Sequence, residues 1–488
     1  MSRTALSVFL LLLLISCAGP DERTAAPTQK PNVLFIAVDD LRPELAAFGH
    51  PQIHSPNIDA LAARGTIFTN AYCNVPVCGA SRASILTGIR PGRHRFVDYD
   101  CRVETDVPAA ATIQGHFKAN GYYAAGLGKL HHFPDDRGGD YSEPNWRPDY
   151  ENVTQTDWRN YQLAANRAVS ERNDNGAGPP FERAPVPDNA YHDGQTADRA
   201  VEYIGRLAAS DQPFYLAVGF LKPHLPFNAP EKYWALYDST DIQLPPTYYR
   251  ADGTPDAIYH NSGELRFGYA GVPEDEILPE DYARNLIHGY YACVSYVDAN
   301  VGKLMAALEA SGEADNTIVV LWGDHGWNLG DHTIWCKHST FNTSLRVPLI
   351  ISAPEYTGGQ VSAALSEYVD VFPTLCDLAG LAAPDQLDGT SLRPALADPT
   401  VAGKDRVFTR WKNGENITTR RYGYTEWWNE AGEQYARALF DHATDSLEVR
   451  NVVDAPQQQA TVQTLSEQLH ASMEQQNTPL PTPASSEE

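Results

Sequence analysis

Val33-Leu34-Phe35-Ile36-Ala37-Val38-Asp39-Asp40 is a run of six apolar residues that stops at two acids. A run this short and this continuously apolar predicts a strand buried on both faces, as in a parallel sheet; a half-buried strand would alternate. Two later stretches repeat the pattern. Phe214-Tyr215-Leu216-Ala217-Val218 leads to Lys222-Pro223-His224, and Ile318-Val319-Val320-Leu321-Trp322 meets Gly323-Asp324-His325-Gly326. The carboxyl ends of parallel strands share one edge of a sheet and open onto its ligand site, so residues far apart in sequence can meet there. Val347-Pro348-Leu349-Ile350-Ile351 predicts a further strand. Between the strands, Leu286, Tyr290, Val294, Val297, Val301, Leu304 and Leu308 recur at helical spacing. Alternating strands and helices predict an α/β sandwich.

Working outward, residues 31–400 read as one catalytic domain. After that the texture turns Arg- and aromatic-rich, in residues 418–428 and Ala438-Leu439-Phe440-Asp441, before a helical stretch through Leu465 and Leu469. That predicts a small antiparallel sheet with a helix over residues 401–474. Residues 475–488 are polar and Pro-bearing, the composition of a disordered tail. At the other end, Arg3 precedes an apolar run from Ala5 to Ile15 and then Ser16-Cys17. This is the pattern of a secretory signal over residues 1–16, too short for a stable span. Leu14-Ile15-Ser16-Cys17 resembles a bacterial lipobox, which implies lipidation of Cys17, a tether over residues 17–30, and an exported lipoprotein of the periplasm or cell surface, on the outer membrane.

The formal net charge of −25 argues against binding nucleic acid through the general surface, because a polyanion needs a basic footprint. An anionic substrate would need a local basic pocket. With Cys17 and Cys78 given roles, Cys73, Cys101, Cys293, Cys336 and Cys376 remain. That odd number leaves at least one unpaired unless chains are cross-linked. No C-x-x-C spacing suggests zinc.

Asp39 and Asp40 at one strand end would repel each other unless a cation compensates, and Asp324 with His325 ends a second strand; a hard metal is the economical answer. Cys78 lies just before a helical pattern at residues 81–87 and near Arg82, the setting of an activated thiol. Cys78-Gly79-Ala80-Ser81-Arg82, followed by Ile85-Leu86-Thr87-Gly88 and Arg90-Pro91, resembles the signature of the formylglycine-dependent sulfatases. Further motifs extend the resemblance: Ser55-Pro56-Asn57-Ile58-Asp59, Gly126-Leu127-Gly128-Lys129, Lys222-Pro223-His224-Leu225-Pro226-Phe227, Gly323-Asp324-His325-Gly326-Trp327 and Val369-Asp370-Val371-Phe372-Pro373-Thr374. With Trp335-Cys336-Lys337, they look most like the iduronate-2-sulfatase branch.

The resemblance implies an alkaline-phosphatase-like sandwich with a large mixed, mostly parallel sheet between helices. It implies that Cys78 is oxidised to formylglycine, whose hydrate attacks sulfur, releases the alcohol and then collapses to eject sulfate. It makes Asp39, Asp40, Asp324 and His325, with residue 78, ligands of one Ca²⁺. Arg82, Lys129 and Lys337 are the expected cations for the sulfate oxygens, and Arg82 also a clamp on the hydrate. Lys222 joins Lys129, His224 and Lys337 as an expected substrate-binding residue. His224 is the expected leaving-group acid. Either His131 or His132 is the expected base, with His132 favoured by the branch's spacing. Ala80 stands where many family members carry Pro, which implies a radical-type maturation enzyme as partner. The implied substrate is a sulfated polysaccharide or its oligosaccharides, algal or glycosaminoglycan, with sulfate beside a uronic acid. Arg93, His94 and Arg95 form a basic loop that could meet a sugar carboxylate. Two other readings keep the pocket: a phosphomonoester or phosphonate hydrolase of the same superfamily, and an inactive sulfoglycan-binding lipoprotein.

Overall fold

The computed structural model describes residues 30–148 and 157–476. The expected signal, Cys17 and residues 477–488 lie outside the described residues. No described helix is long and apolar enough to cross a membrane.

The central sheet has seven strands. In chain order they are β1 (Asn32–Val38), β2 (Thr66–Phe68), β3 (Tyr123–Gly128), β4 (Phe214–Phe220), β5 (Thr317–Gly323), β6 (Leu349–Ser352) and β7 (Gln360–Ser362). Their spatial order is β7-β2-β6-β5-β1-β4-β3. β1 sits between β4 and β5 and is parallel to both. Only β6 runs against its neighbours, so the sheet is mixed and mostly parallel. The run Val347-Pro348-Leu349-Ile350-Ile351 is therefore not one strand. Val347 pairs with Ala71 in a separate small sheet, Pro348 breaks the ladder because it has no N–H to donate, and Leu349 begins β6.

β1 shows why the run is unbroken. Leu34, Ile36 and Val38 enter one core, while Val33, Phe35 and Ala37 enter the other. Both faces are covered, so every position of the strand is buried, at roughly 1.5–3 kcal/mol for each large aliphatic or aromatic side chain. The first core is closed by helices His192–Ala208 and Glu280–Ala310; the second receives Ile85 and Leu86 from helix Cys78–Thr87 and Phe372 from helix Val371–Leu378. Each apolar position of the long helical repeat, from Leu286 to Leu308, is buried in the first core.

The C-terminal part is a four-stranded antiparallel meander: β8 (Arg406–Trp411), β9 (Gly414–Thr419), β10 (Tyr422–Trp428) and β11 (Gln434–Asp441). Ile417, Tyr424 and Leu439 on one face pack against Val462, Leu465 and Leu469 of helix Gln459–Gln476. Residues 475–476, expected in the tail, are the last of that helix. Trp427 and Phe440 pack on Ile334 and Phe341, which ties this sheet to the loop that follows β5.

Candidate active site

The sheet register brings the expected residues to one edge. Val38 lies opposite both Phe220 and Gly323, and Gly128 lies opposite Gly219. The chain leaves each strand through a backbone bond to its neighbour: Asp39 N–H donates to the Phe220 carbonyl (3.1 Å), Asp324 N–H to that of Val38 (3.1 Å) and Lys129 N–H to that of Gly219 (2.9 Å). Position 219 admits only Gly, since a Cβ there would sit 1.9 Å from the Lys129 carbonyl oxygen. Asp40 turns away in a left-handed conformation (φ 58°), with its N–H donating to Asp324 Oδ1 at 2.9 Å.

Helix Cys78–Thr87 starts at this edge, so Cys78 is its first residue. Gly79 lets it approach: a Cβ there would meet the Tyr99 carbonyl oxygen at 2.0 Å. One turn on, Arg82 is fully buried. Its Nε donates to Asp324 Oδ2 (2.9 Å), Nη2 to Asp39 Oδ1 (3.0 Å), and Nη1 to the carbonyls of Lys129 (2.6 Å) and Leu130 (3.1 Å). The guanidinium is thereby committed to fixing the acids and the loop after β3. Four of its five N–H donors are used in this frame, which leaves one Nη2 hydrogen for the expected contact with the hydrate or the sulfate.

The Cys78 Sγ lies 3.3 Å from His325 Nε2 and 3.8 Å from Asp40 Oδ1. Its environment is not that of an activated thiol. Burial, then the Asp39 charge, push the Cys78 thiol well above its ordinary range despite the nearby Lys129 and Lys337 ammoniums. Burial thus disfavours the thiolate at this position.

The donor set fits a cation. Ligand atoms of Asp40, Cys78, Asp324 and His325 lie within 4.8 Å of one another, and a second grouping adds Asp39 and His224 around the same Asp40 and Cys78. His325 Nδ1 is 2.9 Å from the Gly326 carbonyl, which assigns the ring proton there and leaves the Nε2 lone pair pointing at Asp40 Oδ1 (3.3 Å) and Asp324 Oδ1 (3.6 Å). Lone pairs converging from three buried side chains repel unless a positive charge lies between them. Burial pushes the Asp40 carboxyl up to about 7, whereas Lys129 and Arg82 overcome burial at Asp39 and hold it well below the usual range. The six residues offer three carboxylates, two imidazole nitrogens and one thiol, and oxidation of residue 78 would exchange that sulfur for oxygen, the donor calcium prefers.

Beside the acids stand the cations. The Lys129 ammonium is paired with Asp39 Oδ2. The Lys337 ammonium lies 3.1 Å from Asp40 Oδ1 and 2.9 Å from Glu264 Oε1. Burial opposes its charge, yet Asp40 and Glu264 help to hold it well above its ordinary value. His224 presents Nε2 to Glu264 Oε1 (3.1 Å) and Asp40 Oδ2 (3.8 Å), with Nδ1 against the Leu225 carbonyl (2.5 Å) and Trp158 edge-on at 5.1 Å. Burial and the Lys337 charge lower the His224 pKa.

Four expected residues are distinguished by their contacts. His131 is engaged through both ring nitrogens, with Gln114 Nε2 at 2.8 Å and Asp136 Oδ2 at 3.4 Å, in a buried scaffold. Its neighbour His132 carries a buried Nδ1 with no hydrogen-bond partner, and burial together with the Lys129 charge lowers it to about 3. The two adjacent rings therefore sit in different surroundings. Lys222 turns away from the pocket: its ammonium donates to the carbonyls of His224 and Pro226 (2.7 Å each), bracing the turn that carries His224. Arg95 is likewise spent, on the carbonyls of Arg90 (3.0 Å) and Gln476 (3.1 Å). Glu264, on the short helix Gly263–Gly268, enters the site without a motif to announce it. All six described cysteines are unpaired.

The sulfatase family model matches residues 31–381, which holds the whole edge just described, and human iduronate 2-sulfatase is 34% identical over 75% of this chain and 72% of its own length. The chain belongs to the sulfatase family. A second family model, the N-sulphoglucosamine sulphohydrolase C-terminal part, matches residues 330–475 of this sulfatase and so takes in the antiparallel meander. The phosphonate monoester hydrolase of Agrobacterium radiobacter superposes with a TM-score of 0.74 at 24% identity, covering 91% of this chain and 96% of its own. A chain solved with its substrate, D-glucosamine-2-N,6-O-disulfate, gives 0.74 at 21%, covering 92% and 99%. These likenesses establish the alkaline-phosphatase-like fold of this sulfatase, and that fold is common to enzymes named for different esters.

Proposed function

We propose that this sulfatase hydrolyses sulfate esters of a sulfated carbohydrate, with formylglycine made from Cys78 as nucleophile and one Ca²⁺ held by Asp39, Asp40, Asp324, His325 and residue 78. The observation that carries this is the position of Cys78, at a helix start 3.3 Å from His325 Nε2, among buried acids paired with Lys129 and Lys337 and grouped with His224. When present, the aldehyde hydrate supplies the attacking oxygen and the calcium draws charge from the sulfate oxygens.

The chain's own residues do the rest. Arg82 fixes Asp39 and Asp324 and so sets the spacing of the metal ligands. Lys129 and Lys337 offer ammonium hydrogens to the ester oxygens, where fixed charge in a water-poor site lowers the barrier most. His224 faces the leaving-oxygen side and delivers a proton to the alcohol; His132, neutral with a free Nδ1, takes one from the attacking hydroxyl. Lys222 keeps the His224 turn in place.

The branch likeness supports a sulfate beside a uronic acid as the bond cut, in an algal polysaccharide or glycosaminoglycan oligosaccharide. Ala80 supports maturation by a radical-type enzyme, and the N-terminal pattern supports export as a lipoprotein lipidated at Cys17. The test is to assay purified, aldehyde-bearing protein against a panel of sulfated oligosaccharides and to measure released sulfate. Turnover of a uronate 2-sulfate above all others is expected. Release of phosphate from phosphate esters with no sulfate from any ester would overturn the reading.

A further inference from the structure

The sulfate pocket contains a carboxylate where an anion is to be bound. Glu264 Oε1 lies 2.9 Å from the Lys337 ammonium and 3.1 Å from His224 Nε2, so one oxygen engages both the ammonium and the imidazole on the proposed leaving-group side. Its other oxygen, Oε2, is buried and has no hydrogen-bond partner, so the acid is not simply turned toward solvent. Lys337 is already bonded to Asp40, and Lys129 and Arg82 are paired with Asp39 and Asp324. Every cation that the pocket offers is therefore at least partly balanced before an ester arrives. A second acid on Lys337 is unnecessary for holding that side chain and costly for binding an anion, unless the excess negative charge itself does something.

We propose that Glu264 is a specificity-determining residue that sets the charge of the ester the pocket accepts. This deepens the sulfatase reading and rests on it. A sulfate ester carries one negative charge. A phosphate monoester of the same shape carries close to two above neutral pH. Cations and a metal attract both, and the dianion more strongly. A fixed carboxylate bridging the two groups nearest the ester subtracts attraction in proportion to ligand charge, so its penalty falls twice on the dianion and once on the monoanion. Rejection of the wrong partner by an opposing charge is a common route to specificity.

The experiment compares hydrolysis of nitrophenyl sulfate and nitrophenyl phosphate at pH 8 by aldehyde-bearing wild type, Glu264→Gln and Glu264→Asp. Glu264→Gln keeps the shape and removes the charge; its phosphate-to-sulfate ratio of kcat/KM is expected to rise about tenfold or more. Glu264→Asp keeps the charge, and its ratio is expected to stay within about threefold of wild type even if both rates fall. Inhibition constants for inorganic sulfate and phosphate should move in the same sense. Equal losses on both esters in Glu264→Gln, with the ratio and the two inhibition constants unshifted, would reduce Glu264 to a structural brace and overturn the inference. Failure of wild-type protein of verified aldehyde content to release sulfate would instead remove the sulfatase reading beneath it.

Discussion

Replacing Arg82 with Lys separates two roles that activity alone would confuse. The guanidinium is fully buried and makes four hydrogen bonds, two to the carboxylates of Asp39 and Asp324 and two to the carbonyls of Lys129 and Leu130. An ammonium is a compact donor without the planar fork, so it can reach one of the two acids but not span both. The other acid then loses a charged hydrogen bond worth roughly 1.5–3 kcal/mol, and the two carbonyls lose about 1 kcal/mol each. Lys129 still pairs with Asp39 and offsets part of this. Arg82→Lys is therefore expected to lower unfolding free energy by about 3–5 kcal/mol, the range found when a buried ion pair is broken. Urea unfolding followed by tryptophan fluorescence, in metal-free and calcium-loaded protein, measures it. Turnover should fall as well, because the metal ligands lose their spacing. A stability change under about 1 kcal/mol together with lost turnover would mean that Arg82 acts on the ester and not on the frame.

Other outcomes follow from the same geometry. His132→Ala is expected to lower kcat roughly 10²- to 10⁴-fold with little change in stability, whereas His131→Ala, which breaks the Gln114 and Asp136 contacts, should chiefly lower the unfolding midpoint; paired kinetics and melting curves show the contrast. Lys222→Met should destabilise the His224 turn and reduce kcat while leaving KM for a small sulfate ester nearly unchanged, and a large rise in KM alone would return Lys222 to the binding set. Burial opposes ionisation of Glu367, but Lys404 and Arg90 hold it down at about 2, below its ordinary 4.5. That contribution to stability is complete above about pH 5 and is lost as pH falls through the interval from about 4.5 to 2, so Lys404→Met should move acid unfolding to higher pH in a circular-dichroism titration.

Much of this was legible in the sequence because buried parallel strands leave a plain record. β1, β4 and β5 are buried at every position and apolar through their centres, since both faces meet a core, and each ends at polar residues that the register then aligns. What sequence proximity could not supply is direction. Lys222 sits two residues before His224 and yet points back at that residue's carbonyl; His131 and His132 are adjacent and face different surroundings. Spacing along a loop after a strand does not fix which side a residue takes. The thiol of Cys78 was expected to be activated by a helix start and an Arg, but Arg82 is already neutralised by two acids, and burial decides the outcome. Glu264 left no signal. It is one acid in a polar stretch, delivered by a long connection between β4 and β5. Pro348 did leave one, a residue that cannot donate in mid-strand, and it marked the break between the small sheet and β6.

The central claim is that residue 78 works only as an aldehyde. The most direct test is mass spectrometry of the peptide containing residues 74–82, from protein made with a radical-type maturation enzyme, alongside sulfate release by the same preparations. Turnover is predicted to rise in proportion to the converted fraction and to vanish in correctly folded Cys78→Ala; sulfate release by Cys78→Ala, or by preparations that hold only the thiol, would contradict the account.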